Sequence, residues 1–156
     1  MPVRARTVAN EFIRLAGADR RSLTPLQLIK LTYIAHGWML ALYQRPLITD
    51  DVEAWKYGPV IPDLYRAMKQ YGSGYVTNDL GTWGTTSPEL DDTERDIIRQ
   101  VYALYGNMNG VQLSALTHQP GTPWSQTWND DGKNGVIAND LIAEHYRLLN
   151  NERRAG

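Results

Sequence analysis

The sequence predicts a mostly α-helical fold: a single compact domain of about six helices around a buried central helix, with at most a small β-hairpin. Three observations predict it. Apolar residues recur at three- and four-residue intervals in several separate segments, the period of a helix with one buried face. One of them, "TPLQLIKLTYIAHGWMLALY", is apolar nearly all round, as a helix touched on several sides must be. Its 156 residues, 42% hydrophobic and 21% charged, suffice for one real core. The domain is placed at residues 1–150, with a flexible tail at 151–156.

The first helix is expected over residues 3–17, where Val8, Phe12, Leu15 and Ala16 share a face and Gly17 can end it. The central helix follows. Thr24 is its N-cap, Pro25 suits the first helical position, and Gln27 completes a capping box. Gly37 in its middle costs about 1 kcal/mol against Ala, so close approach of another backbone is expected there. Pro46 ends the helical pattern, Val52 to Trp55 form a short extended segment, and Gly58-Pro59 turn the chain. Ile61, Leu64, Tyr65, Met68 and Tyr71 then mark a helix to about Gly72.

Residues 72–90, rich in Gly, Ser and Thr, are the longest loop, with a short strand expected at Tyr75 to Thr77. Asp91 and Glu94 form a second capping box, for a helix burying Ile97, Ile98, Val101, Tyr102 and Tyr105. A short helix carries Val111, Leu113 and Leu116 into "THQPGTPW", and "NDDGKNG" turns. The last helix, about 138–151, sets Leu141, Ile142, Tyr146 and Leu149 on one face.

Composition narrows the function. The absence of Cys excludes disulfides, thiol catalysis and thiolate metal sites. A net charge of −1 argues against a dedicated nucleic-acid binder, although Arg4, Arg6, Arg14, Arg20 and Arg21 make the N-terminal region basic. Those arginines read first as a solvated helix face. The opening residues lack the apolar core of a signal peptide. Lys30, Thr32, His36 and Gly37 interrupt the longest apolar run, so no membrane span is expected, and the reading is a soluble cytoplasmic protein.

Catalytic patterns are weak, and the expected class is not an enzyme. His36, His118 and His145 form no close ligand pair, so neither a metal nor another cofactor is expected. Ser114, Thr117 and His118 are neighbours in "LSALTHQ", but a triad needs a third group from elsewhere. Ser114 and Thr117 read as bonding helix carbonyls or capping the helix end. "GSG" at residues 72–74 is too short to cradle a phosphate. The acidic runs at Asp50 to Glu53 and Asp91 to Asp96 read as turn and helix-start acids. The rival enzymatic reading uses the region of Trp55, Tyr57, His118 and Trp124.

The aromatics stand out more. Phe occurs once, Tyr nine times and Trp five times. Trp55, Tyr57, Tyr65, Trp83, Trp124 and Trp128 lie in or beside loops. Tyr and Trp carry an apolar body and a polar tip and are favoured at protein interfaces. Tyr57, Tyr65, Trp83 and Trp124 are the candidate partner contacts.

The residues also resemble a family. "LIKLTY" (Leu28 to Tyr33), His36-Gly37-Trp38, Pro46-Leu47, Glu53-Ala54-Trp55 and Tyr57-Gly58-Pro59-Val60 resemble the signature of the Panacea-domain, or SocA-like, antitoxins, also known as phage-associated proteins. "LSALTHQPGTPW" (Leu113 to Trp124) resembles the second signature, and Ile142 and Tyr146 fall on the family's last helix. The resemblance spans about residues 7–150. It implies an antitoxin of a toxin–antitoxin pair that binds its toxin directly; across the family the toxins are unrelated to one another and include small alarmone synthetases. In the SocA case it implies an adaptor that hands its toxin to the ClpXP protease. Only the core domain is expected here, without an appended DNA-binding module. Leu28, Leu31, Tyr33, His36, Trp38, Trp55, Gly58, Pro59 and His118 are then signature or scaffold residues.

Overall fold

A computed structural model describes residues 1–81 and 89–155. Within them lie seven α-helices and one two-stranded antiparallel hairpin: α1 (Ala5–Ala18), α2 (Pro25–Tyr43), β1 (Glu53–Trp55), β2 (Gly58–Val60), α3 (Pro62–Met68), α4 (Asp92–Tyr105), α5 (Gly110–Thr117), α6 (Pro123–Asp131) and α7 (Asn139–Ala155). A 3₁₀ turn at Lys69–Tyr71 prolongs α3.

The central helix is as the sequence predicts. Thr24 Oγ1 accepts from the Gln27 amide at 3.2 Å and Gln27 Oε1 accepts from the Thr24 amide at 2.9 Å, closing the capping box. From Leu28 through Leu40 every residue is buried. Helices α1, α3, α4, α5 and α7 and strand β2 surround it. A helix enclosed on all sides needs no polar stripe, which is why its pattern is apolar all round.

Gly37 meets a side chain where the sequence predicts a backbone. Any Cβ there would overlap the buried ring of Tyr146 from α7. Tyr146 in turn lies edge-on to Trp38 at 5.2 Å and to Tyr33 at 6.4 Å. His36 ties the same two helices. Its Nδ1 accepts from the amides of Leu47 and Ile48 at 3.2 and 3.4 Å, so its Nε2 carries the proton donated to Asn139 Oδ1 at 3.0 Å. Burial holds its pKa down at about 4, with the Asn139 bond opposing.

Other expectations shift. Val3 lies outside α1, in a parallel bridge to Ile48, and Gly17 sits inside α1, which caps at Asp19. The segment at Tyr75 to Thr77 is not a strand; its Val76 amide donates to the Leu23 carbonyl at 2.8 Å. Gly58-Pro59 are strand residues, and the turn is Lys56-Tyr57. Helix α6 has no counterpart in the sequence reading. The last helix continues through Ala155, past the position where the tail is expected, and Arg153 donates to Tyr105 Oη at 2.9 Å.

Candidate functional site

The hairpin is short, and three side chains from outside it hold its backbone. Its register pairs Glu53 with Val60, Ala54 with Pro59 and Trp55 with Gly58. On the outer edge of β1, the Ala54 amide donates to the Gly135 carbonyl and the Ile137 amide to the Val52 carbonyl, each at 2.8 Å. On the inner side, Lys30 of α2 donates to the Pro59 carbonyl at 2.8 Å and reaches the Tyr57 carbonyl at 3.5 Å. Ser114 Oγ of α5 donates to the Tyr57 carbonyl at 2.7 Å, and Trp124 Nε1 of α6 to the Trp55 carbonyl at 2.6 Å. A two-residue turn held at Trp55, Tyr57 and Pro59 has little freedom left.

Lys30 is buried and forms no ion pair among the described residues. Removal from water pushes its ammonium down to about 7. Gly58 is required beside it: φ is +120°, and a Cβ would lie 2.8 Å from Lys30 Nζ.

Tyr57 at the tip is 67% exposed, with the Lys56 ammonium 5.4 Å from its ring centre. Tyr65 on α3 is 38% exposed and stands edge-on to Trp55 at 5.1 Å. Trp124 is half-buried, stacks on Trp128 at 5.4 Å and meets the edge of His118 at 5.3 Å. The structure thus gathers Trp55, Tyr57, Tyr65, Trp124, Trp128 and His118 around one hairpin. Trp83, the remaining candidate contact, lies outside the described residues. Of the signature residues, Leu28, Leu31, Tyr33, His36, Trp38, Gly58 and Pro59 are buried, while Trp55 and His118 are half-buried.

The rival chemistries gain little from this geometry. Ser114 Oγ engages the hairpin and not a helix carbonyl. Thr117 bonds back to the Leu113 carbonyl at 2.9 Å, and the His118 ring bonds the Ser114 backbone carbonyl, not its hydroxyl. No group of three His, Asp or Glu residues able to hold a metal occurs among the described residues. Several N-terminal arginines have internal partners: Arg6 is bidentate to Asp63 at 2.8 and 3.0 Å, and Arg14 pairs with Glu11 at 2.6 Å. No described helix is long and apolar enough to cross a membrane.

Sequence reasoning passed over one surface. Between Arg99 and Asp130 there is no Asp, Glu, Lys or Arg, in a chain that is 21% charged. Helix α5 lies in that stretch, and its outer face, Val111, Gln112, Ala115 and Leu116, is exposed. The charge gap itself is the signal that could have found it.

The chain is a helical domain built around an enclosed central helix, with an aromatic hairpin on its surface. Comparison with known proteins gives the family. The family described as antitoxin SocA-like, Panacea domain, matches residues 28–125, and the chain belongs to it. A relative, antitoxin SocA of Caulobacter vibrioides (strain NA1000 / CB15N), is 37% identical over 157 residues, covering 94% of this chain and 84% of its own length. No solved structure matches significantly.

Proposed function

We propose that this chain is the antitoxin of a toxin–antitoxin pair and neutralises a cognate protein toxin by binding it directly. The observation that carries the reading is the hairpin. Tyr57 is held out to solvent while its backbone is fixed by Lys30 and Ser114, and Tyr65 stands close by on Trp55. Aromatic anchors presented without conformational freedom give affinity at low entropic cost. The relative named as an antitoxin supports the same role. The buried signature residues are read as the scaffold behind this surface, and the chain is read as acting in the cytoplasm without a cofactor.

Co-expression with the product of the neighbouring gene tests the reading. The pair should co-purify and growth should recover. Tyr57→Ala should weaken the complex at least about tenfold with unchanged melting temperature, and Tyr65→Ala should weaken it similarly while costing about 1 kcal/mol of stability through its lost contact with Trp55. Failure of every neighbouring small gene product to bind or to be rescued would sink the proposal. Delivery to ClpXP is the variant of this function in which the bound toxin is also degraded. It requires the toxin to live longer when the protease is removed, and an unchanged half-life leaves neutralisation by binding alone.

A further inference from the structure

Helix α5 is short and carries no charge, yet only part of it is covered. Leu113, Ser114 and Thr117 face inward, while Val111 is 76% exposed, Leu116 is 37% exposed, and Gln112 and Ala115 lie between them. Val111 with Ala115 and Gln112 with Leu116 are each four apart, so they form two adjacent rows on the outer side of the helix. Leu26 of α2 flanks it at one end, where a Cβ on Gly110 would lie 2.9 Å from the Leu26 side chain. Tyr57 flanks it at the side, through the bond from Ser114 Oγ to its carbonyl.

The geometry points to this uncharged face of α5, flanked by Leu26 and Tyr57, as the ridge that enters an apolar, uncharged groove on the cognate toxin. The inference rests on the reading that the chain binds its toxin directly, and names the surface and its complement. Charge selects the partner's chemistry. A phosphate backbone, an anionic membrane or a charged peptide docked here would lose water and find no counter-ion on α5, with Lys56 beside the Tyr57 ring at the edge of the surface. A neutral apolar surface loses nothing of that kind.

Size argues against a second copy of the chain. An eight-residue helix is about 12 Å long. Two such ridges laid against each other bury far less than the roughly 800 Å² per partner of a stable interface. A groove that wraps the ridge buries much more of it. Four surface clefts of this chain each carry charge, among them Glu144, Arg153, Asp50 and Arg14, so none of the four receives an uncharged ridge cleanly.

The test uses the full chain co-expressed with the product of the adjacent gene. Val111→Asp plants a charge on the face, and Val136→Asp plants the same charge on a residue 52% exposed elsewhere. Ala115→Glu serves as a second variant on the face, at an exposed position, so that a fold defect in the first does not decide the outcome. Expected are affinity losses of at least about thirtyfold for the two face variants, little change for Val136→Asp, and wild-type melting temperatures throughout. Wild-type affinity should change less than about threefold between roughly 0.1 and 1 M NaCl. Wild-type affinity in both face variants would overturn the inference while leaving direct binding intact. A steep loss of affinity with salt would overturn it too. A wild-type dimer that Val111→Asp converts to monomer would assign the face to self-association instead. If the wild-type chain binds no neighbouring product, the functional reading fails first, and this inference with it.

Discussion

Lys30→Met should remove a pH dependence that the wild-type fold carries. Lys30 Nζ lies inside the protein, against two carbonyls and no carboxylate, and its pKa falls from 10.5 to about 7. Between those values the unfolded chain holds the proton and the native chain has released it. Raising the pH therefore favours the native state, and the cost of burying the ammonium is fully present only below about 7. At about 1.36 kcal/mol per unit, wild-type stability should rise by about 2 kcal/mol from pH 7 to pH 9; nearer pH 10 the buried Tyr33 and Tyr146, whose pKa burial raises, oppose the gain. Met has a similar length and no proton to lose, so its curve should be nearly flat over the same window. The variant leaves the Pro59 carbonyl without its donor, which costs about 1–3 kcal/mol and offsets part of the gain at pH 7. Urea unfolding of both proteins at pH 7, 8 and 9 measures the difference in slope directly. Equal slopes would show that Lys30 is not the buried cation described here.

Three further predictions test the fold. The His36 ring should stay neutral down to about pH 4, so stability should fall by about 3 kcal/mol as pH drops from 6.5 to 4; an NMR midpoint for His36 near 6.5 would refute its burial. Gly58→Ala forces a side chain into φ +120° beside Lys30 Nζ, and should cost about 1–3 kcal/mol by chemical denaturation. Gly17→Ala should do the opposite, adding about 0.5–1 kcal/mol, because Gly17 is inside α1 with nothing within 4 Å of a new Cβ.

Elements specified by neighbouring residues were legible; those specified by distant ones were not. Thr24 with Gln27 and Asp91 with Glu94 announce their helices because a capping box is closed within four residues. Helix α6 carries a related signal, Thr122 accepting from the Ser125 amide at 3.2 Å with Pro123 at the first position. It went unread because its packing residues, Trp124 and Trp128, stand among Gly and Pro and resemble loop aromatics. The bonds that pair β1 with residues 134–137 join segments some eighty positions apart, and no local pattern encodes them. Burial of Lys30 was accessible in principle. A helix that is apolar all round has no solvent face, so a lysine within it must go inward and find acceptors.

That logic also separates what the fold holds constant from what it presents. Lys30 sits inside "LIKLTY", and its acceptors, Tyr57 and Pro59, sit inside "YGPV", so the two words meet in space through one ammonium. Ser114 and Trp124, at the start and end of "LSALTHQPGTPW", grip the same hairpin at Tyr57 and Trp55. The contacts made by these words are mostly to backbone carbonyls. A carbonyl is indifferent to the side chain it belongs to. Such a scaffold can carry different residues at 56, 57, 111, 115 and 116 without losing the bonds that position them, whereas Gln112 accepts from the Asn109 amide at 2.9 Å in the capping box of α5. Exchanging Tyr57 for Phe, Leu or His should therefore leave the fold's stability within about 0.5 kcal/mol while changing partner affinity. A loss of stability comparable to that of Gly58→Ala would show that the tip is part of the core after all.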